Sequence, residues 1–257
     1  MIVGRSAAAP VPVALRRKGE DRDLELLFDR YELKYVLHHA QAAAVLETLE
    51  PYLRRDPNAG VDGYYKVTSL YLDSPDFSCY WEKLDGEKFR RKVRLRTYGA
   101  RPEQAFVEIK QRLNLGVGKR RTILPVAQAE RRIRDVCAGR YDGGDRVLDE
   151  VFLLTQRERL RPVVVVSYNR SAWFDAWRRD LRITLDRNLK YRTLDLSLGG
   201  DPTRGRHFLP PQWCILEVKF DKVLPSWLCT ALNRHDLQVQ RVSKYCLAVD
   251  GAGLVAR

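Results

Sequence analysis

Within Lys88–Tyr98 the residues Arg90, Lys92, Arg94 and Arg96 fall at every second position, with Val93 and Leu95 between them. An extended strand sends alternate side chains to opposite faces, so this spacing puts four cations on one face. Neighbours on that face stand about 6.8 Å apart, and at an effective dielectric of about 20 each like pair repels by roughly 2 kcal/mol. Such a row is costly unless acids or an anionic ligand answer it. Arginine grips oxyanions through a planar fork and lysine as a point charge, so the chemistry suggested is the binding of a multiply charged phosphate-type anion. Taken alone, this strand reads better as the wet face of an ordinary antiparallel sheet.

The same design recurs. Arg30, Glu32 and Lys34 oppose Tyr31, Leu33 and Tyr35; Glu108, Lys110 and Arg112 oppose Val107 and Ile109. Arg182 and Asp186 oppose Leu181, Ile183 and Leu185; Glu217 and Lys219 oppose Leu216, Val218 and Phe220; Tyr168 and Arg170 share the end of Val163–Arg170. Asp186 either pairs with Arg182 or ends its strand. Helical patterns over Val36–Leu49, Pro125–Cys137, Asp145–Leu160 (Asp145 as N-cap) and Ser226–Asn233 need a surface to cover. A further short helix is expected to start at Ser74-Pro75-Asp76, with Pro at its first position. Lys244 and Tyr245 open a short apolar helical stretch. These elements predict an α+β fold: a closed or nearly closed antiparallel β-barrel of about eight strands, helices outside, charged faces turned into a lumen.

Composition agrees with that picture and bounds it. The 257 residues are 45% hydrophobic, enough for a sizeable core, and 46 Lys and Arg against 33 Asp and Glu give a net charge of +13. The partner is therefore expected to be anionic. Aromatic residues are not interleaved with the basic ladders as stacking platforms, which argues against nucleic acid. Cys79, Cys137, Cys214, Cys229 and Cys246 are scattered, arguing against a disulfide framework or a zinc site and for a cytoplasmic protein. No apolar run approaches the roughly 18 residues that span a bilayer. Arg5, an Ala/Pro/Val stretch and then Arg16-Arg17-Lys18 come in the wrong order for a secretory signal, so residues 1–22 are expected to be a mobile tail and 23–257 a single domain. Gly116-Val-Gly118-Lys119 lacks Walker spacing and reads as part of a hairpin turn from Asn114. His38, His39, His207 and His235 show no catalytic partner.

In order along the chain, Arg30-Tyr-Glu-Leu-Lys34-Tyr35, Tyr71-Leu-Asp-Ser-Pro-Asp76, Lys92-Val-Arg-Leu-Arg96, Val107-Glu-Ile-Lys110, Tyr168-Asn-Arg170, Leu181-Arg-Ile-Thr-Leu-Asp186, Leu216-Glu-Val-Lys219 and Ser243-Lys-Tyr245 resemble the polyphosphate polymerase domain of the vacuolar transporter chaperone (VTC) complex, a triphosphate tunnel metalloenzyme. The resemblance covers roughly residues 28–250. It implies an eight-stranded tunnel that transfers the terminal phosphoryl group of ATP to a growing polyphosphate chain with Mn²⁺ or Mg²⁺. Carried over by motif, the catalytic cations would be Lys34, Arg94, Arg96, Lys110, Arg170, Arg182 and Lys244. Arg90, Lys92, Arg112, Lys219 and either Lys119 or Arg120 would extend the substrate-binding wall. Glu217 would hold the metal, with Glu32 and Glu108 either completing its site or neutralising neighbours. Hydrolytic relatives open with E-x-E-x-K, whereas Arg30 stands at the first acid position here, which fits the polymerase branch. The alternatives are a tri- or polyphosphate hydrolase and a non-catalytic polyphosphate sensor or scaffold. Without the membrane segments of the eukaryotic complex, export would need a separate membrane partner.

Overall fold

The computed structural model describes residues 30–113, 116–178, 180–200 and 204–256. The expected tail and the hairpin tip at Asn114 lie outside them. Among the described residues ten strands form one antiparallel sheet: β1 (Arg30–His38), β2 (Leu53–Arg55), β3 (Tyr65–Asp73), β4 (Phe89–Tyr98), β5 (Gln104–Leu113), β6 (Gly116–Pro125), β7 (Arg161–Asp175), β8 (Leu181–Arg192), β9 (Arg206–His207) and β10 (Trp213–Asp221). The path runs β1-β10-β8-β7-β3-β4-β5-β6, with the short β2 on β7 and β9 on β8. Six helices accompany it: α1 (His39–Leu49), α2 (Ser78–Leu84), α3 (Val126–Cys137), α4 (Arg146–Glu158), α5 (Ser226–Arg234) and α6 (Lys244–Ala252).

The sheet is strongly curled. Six strand spacings of about 4.8 Å would hold β1 and β5 roughly 29 Å apart on a flat sheet. Yet Glu32 Oε2 on β1 lies 3.8 Å from Lys110 Nζ on β5. The terminal strands β1 and β6 are not hydrogen-bonded to each other among the described residues, so of the expected closed or nearly closed barrel the described strands form a curl with a seam.

Alternation explains which helices lie outside. Val93, Leu95, Val107 and Ile109 turn outward onto Ile133 and Val136 of α3 and Leu148, Val151 and Leu154 of α4. Leu181, Ile183, Leu185, Leu216 and Val218 turn onto Val45 and Leu49 of α1 and Leu228 and Leu232 of α5. The placement of every helix outside fails for α2 and α6. Part of the inner face is apolar (Val67, Val166, Leu189 and Ile215), and Tyr80 of α2 with Tyr245, Ala248 and Val249 of α6 cover it. Burying that stripe plugs one stretch of the curl from within.

Two helix starts differ from expectation and a third agrees. Val36 and Leu37 pair with Ile215 and Cys214, so the strand continues to His38 and the helix opens only at His39. The short helix begins at Ser78 rather than at Pro75. The Asp73 carboxylate draws the backbone N–H groups of Ser74, Cys79 and Tyr80 around itself, and Phe77 takes a left-handed φ of 60° to let the chain turn. Asp145 caps α4 as expected, accepting from Val147 and Leu148 N–H at 2.9 Å each.

Candidate functional site: a cation-lined inner face

Residues directly opposite on neighbouring strands share a face, so the register fixes the lumen. It sets Arg94 beside Glu108, Lys92 beside Lys110 and Arg90 beside Arg112 on β4 and β5. Lys110 lies beside Lys119 of β6, Ser69 beside Arg96, and Arg170 beside Asp186. Across β10, Lys219 meets Arg182 on one side and Glu32 on the other, while Glu217 meets Lys34. The inner face thus brings together Lys34, Arg90, Lys92, Arg94, Arg96, Lys110, Arg112, Lys119, Arg170, Arg182 and Lys219, and α6 adds Lys244 from inside.

Arg120 is placed elsewhere. Its guanidinium points outward to Glu150 of α4 (Nε to Oε2, 2.6 Å) and to Gln111 (3.1 Å). Strand alternation on β6 admits Lys119 to the lumen and excludes Arg120. It admits Arg121 instead, which stacks 5.5 Å over the Phe106 ring. Asp186 pairs with neither its strand neighbour Arg182 nor solvent. It accepts a two-pronged contact from Arg170 (2.6 and 2.7 Å) and a contact from Lys244 (2.6 Å). Arg182 finds Asp56 (3.2 Å) and the Tyr65 hydroxyl (3.0 Å), two residues the strand pattern did not reveal because Asp56 sits in a connection.

Charges on this face are partly answered by acids, in three groups. Lys244 of α6 reaches Glu217 at 2.5 Å, and Lys34 (3.5 Å), Lys219 (3.6 Å) and Arg170 (3.4 Å) also touch that carboxylate. Burial alone would raise the Glu217 pKa, but Lys244, Lys34, Lys219 and Arg170 overrule it and hold the carboxyl well below its ordinary range. Glu32 stands among Lys219 (3.2 Å), Lys34 (3.8 Å) and Lys110 (3.8 Å). There too the desolvation cost is outweighed, first by Lys219 and then by Lys34, and the pKa is lowered. Glu108, fully buried, is held by Arg94 (2.8 Å) and Lys119. Lys110 goes the other way: burial lowers its pKa to about 7, with Glu32 opposing and Lys34, Lys219 and Arg94 reinforcing the shift. The Lys92 ammonium and the Arg182 Nε are buried without a hydrogen-bond partner among the described residues, and Lys92 rests 4.6 Å from the Tyr245 ring centre.

A resident metal fits these residues poorly. Among the described residues no three His, Cys, Asp or Glu side chains converge as a cage. The acids expected to serve one, Glu217, Glu32 and Glu108, are each engaged by lysine or arginine. Glu32 and Glu217 share Lys34 and Lys219, while Glu108 sits with Arg94 and Lys119.

A curled antiparallel sheet whose inner face gathers cations from seven neighbouring strands defines a class of oligoanion-binding proteins. The chain belongs to the VTC domain family, which it matches over residues 29–251. Among solved structures it is similar to a candidate adenylate cyclase from Bacillus halodurans, at 14% identity and a TM-score of 0.48, covering 82% of this chain and 92% of the other. It is also similar to a protein from Pyrococcus horikoshii, at 15% identity and a TM-score of 0.44, covering 87% and 98%.

Proposed function

We propose that this protein is an ATP-dependent polyphosphate polymerase that works inside the curled sheet, with the chain of phosphates lying along its cation-lined inner face. The observation that supports this most directly is the convergence of Arg94, Arg96, Lys110, Lys119, Arg170, Arg182 and Lys219 on one inner face, with too few acids to answer them. Phosphoryl transfer asks mainly for positioning and for charge stabilisation at the transferring group. Arg94 and Arg96 offer forked donors to successive phosphates on one wall, and Lys34, Lys110 and Lys219 offer point charges from the facing wall. Arg170 and Lys244 are already locked onto Asp186 and Glu217, so they present oriented N–H groups with little further ordering cost. No step is assigned to Mn²⁺ or Mg²⁺, because Glu217, Glu32 and Glu108 are turned to cations. An ATP-using enzyme with five free thiols fits a cytoplasmic location.

One observation favours a second reading. Because the three acids are neutralised by their own neighbours, the lumen is also suited to holding polyphosphate without turnover, as a sensor or scaffold would. Incubation with ATP and Mn²⁺, with products resolved on a gel, separates the readings. A ladder of lengthening polyphosphate with ADP supports the polymerase. Orthophosphate alone supports a hydrolase, and binding without any product supports the scaffold.

A further inference from the structure

The chain leaves α5 on the outer face of the sheet and enters α6 on the inner one. Between them, residues 235–243 cross the seam-side edge of β1. There Gln240 N–H donates to Lys34 O at 2.8 Å, and Lys34 Nζ donates to Val242 O at 3.3 Å. The crossing leaves a cavity of about 250 Å³ against α2, lined by Lys83 and Leu84, by residues 240–243, and by Cys246, Leu247 and Asp250 of α6. Two lumen cations touch its walls: Lys34 through Val242 O, and Arg90 through Glu82 O at 3.4 Å, one residue before Lys83.

The cations here are unanswered. Among the described residues no carboxylate bridges Lys83, Lys92 or Arg241. Burial and the charges of Arg90, Lys92 and Lys34 hold the Lys83 pKa below its ordinary value, with the Cys246 thiol acting against them. The acids nearby are engaged or turned to solvent. Asp250 takes the Tyr80 hydroxyl at 2.5 Å, and burial, then Glu158 and Asp73, push the Glu82 carboxyl up toward its neutral form. Asp85 and Glu87 are exposed in the turn after α2, beside Lys88. A row of cations that continues past Arg94, Lys92 and Arg90 suits an anion longer than the lumen can contain. We infer that the cavity is a further phosphate subsite, in which Lys83 and Arg241 hold the stretch of a long polyphosphate that reaches beyond Arg90 and Lys92. This rests on the reading of the lumen as a phosphate-chain site and adds chain-length selection to it. Tripolyphosphate engages the lumen cations alone, whereas a longer chain reaches both sites and makes the second contact while tethered by the first.

The test is calorimetric titration of the full chain with tripolyphosphate and, separately, with long-chain polyphosphate. The wild-type protein is expected to bind the long chain more tightly. In the double variant Lys83→Ala, Arg241→Ala the ratio of long-chain to tripolyphosphate affinity should fall about tenfold, because two screened charge contacts are lost. The charge-matched control Arg131→Ala, Arg134→Ala, on the exposed side of α3, should keep that ratio within about twofold of the wild type. A rise in melting temperature with tripolyphosphate in every variant reports an intact fold. An unchanged ratio in the Lys83 and Arg241 variant, or an equal fall in the α3 control, overturns the inference and leaves the lumen reading standing, since tripolyphosphate binding is measured on its own. A wild-type chain that binds neither anion overturns the lumen reading and the inference with it.

Discussion

Burial drives Lys110 toward the neutral amine, and Lys34, Lys219 and Arg94 push the same way; only Glu32 opposes them. With a pKa near 7 instead of the ordinary 10.5, the folded protein binds fewer protons at this site than the unfolded chain between about pH 7 and 10.5. The Lys110 contribution therefore destabilises the empty fold below pH 7 and is relieved as pH rises. A polyphosphate ligand reverses the balance by favouring the ammonium. Calorimetry of tripolyphosphate binding at pH 8, in buffers of differing ionisation heat, should show uptake of up to about one proton, and affinity should weaken as pH climbs above 7. Lys110→Gln should abolish the uptake. On the opposite wall, Arg94→Ala should cost about 1.5–3 kcal/mol of tripolyphosphate affinity by titration. It should also lower the melting temperature, because it strips a partner from the buried Glu108; Glu108→Gln should restore part of that loss in the double variant.

The elements differ in how far they could be read ahead. Asp145 announced α4 by residue type and position, and Asp145→Ala should cost about 1 kcal/mol of stability in chemical denaturation. Asp73 gave no such signal, since it serves α2 from the end of a strand, five residues before the helix begins. Three backbone N–H groups and the Tyr245 hydroxyl point at its carboxylate, so Asp73→Asn, which replaces an acceptor with a donor, should cost about 2–3 kcal/mol. β3 was missed for a related reason. Eight of its nine residues are buried, polar Thr68, Ser69 and Asp73 among them, so polar and apolar residues stand on both faces and the two-residue alternation that exposed β4, β5, β8 and β10 is absent. The inward cations Arg94, Arg96 and Lys110 were legible because charge and alternation coincide there. Arg121 and the outward turn of Arg120 are hidden in the sequence, because Asn114–Lys119 reads as a turn and no strand pattern carries on from it to the helix at Pro125. The inner position of α6 was also beyond the pattern, since its apolar face looks alike whichever side of the sheet it covers.

For the molecule as a whole, the unanswered charge on the inner face predicts a selective response to anions. Tripolyphosphate or longer polyphosphate should raise the melting temperature strongly by cancelling repulsion that exists only in the folded state. Duplex DNA, too wide for the lumen, should stabilise little and should be displaced by roughly 200 mM salt. Equal, salt-sensitive shifts with all three ligands would move the binding site to the outer surface. Among the described residues no helix is long and apolar enough to cross a membrane.

The seam between β1 and β6 gives this scaffold an unusual mechanical property. In a fully laced barrel the girth is set by an unbroken ring of backbone hydrogen bonds and can barely change. Among the described residues the ring is interrupted here, and the span from β1 to β5 is bridged by the Glu32–Lys110 contact between flexible side chains. A bridge of that kind behaves as an elastic hoop: screening by salt slackens it, and low ionic strength tightens it. A polyanion that displaced Glu32 would sit between the same lysines and draw the two walls together, so an occupied bore is expected to be narrower and stiffer than an empty one.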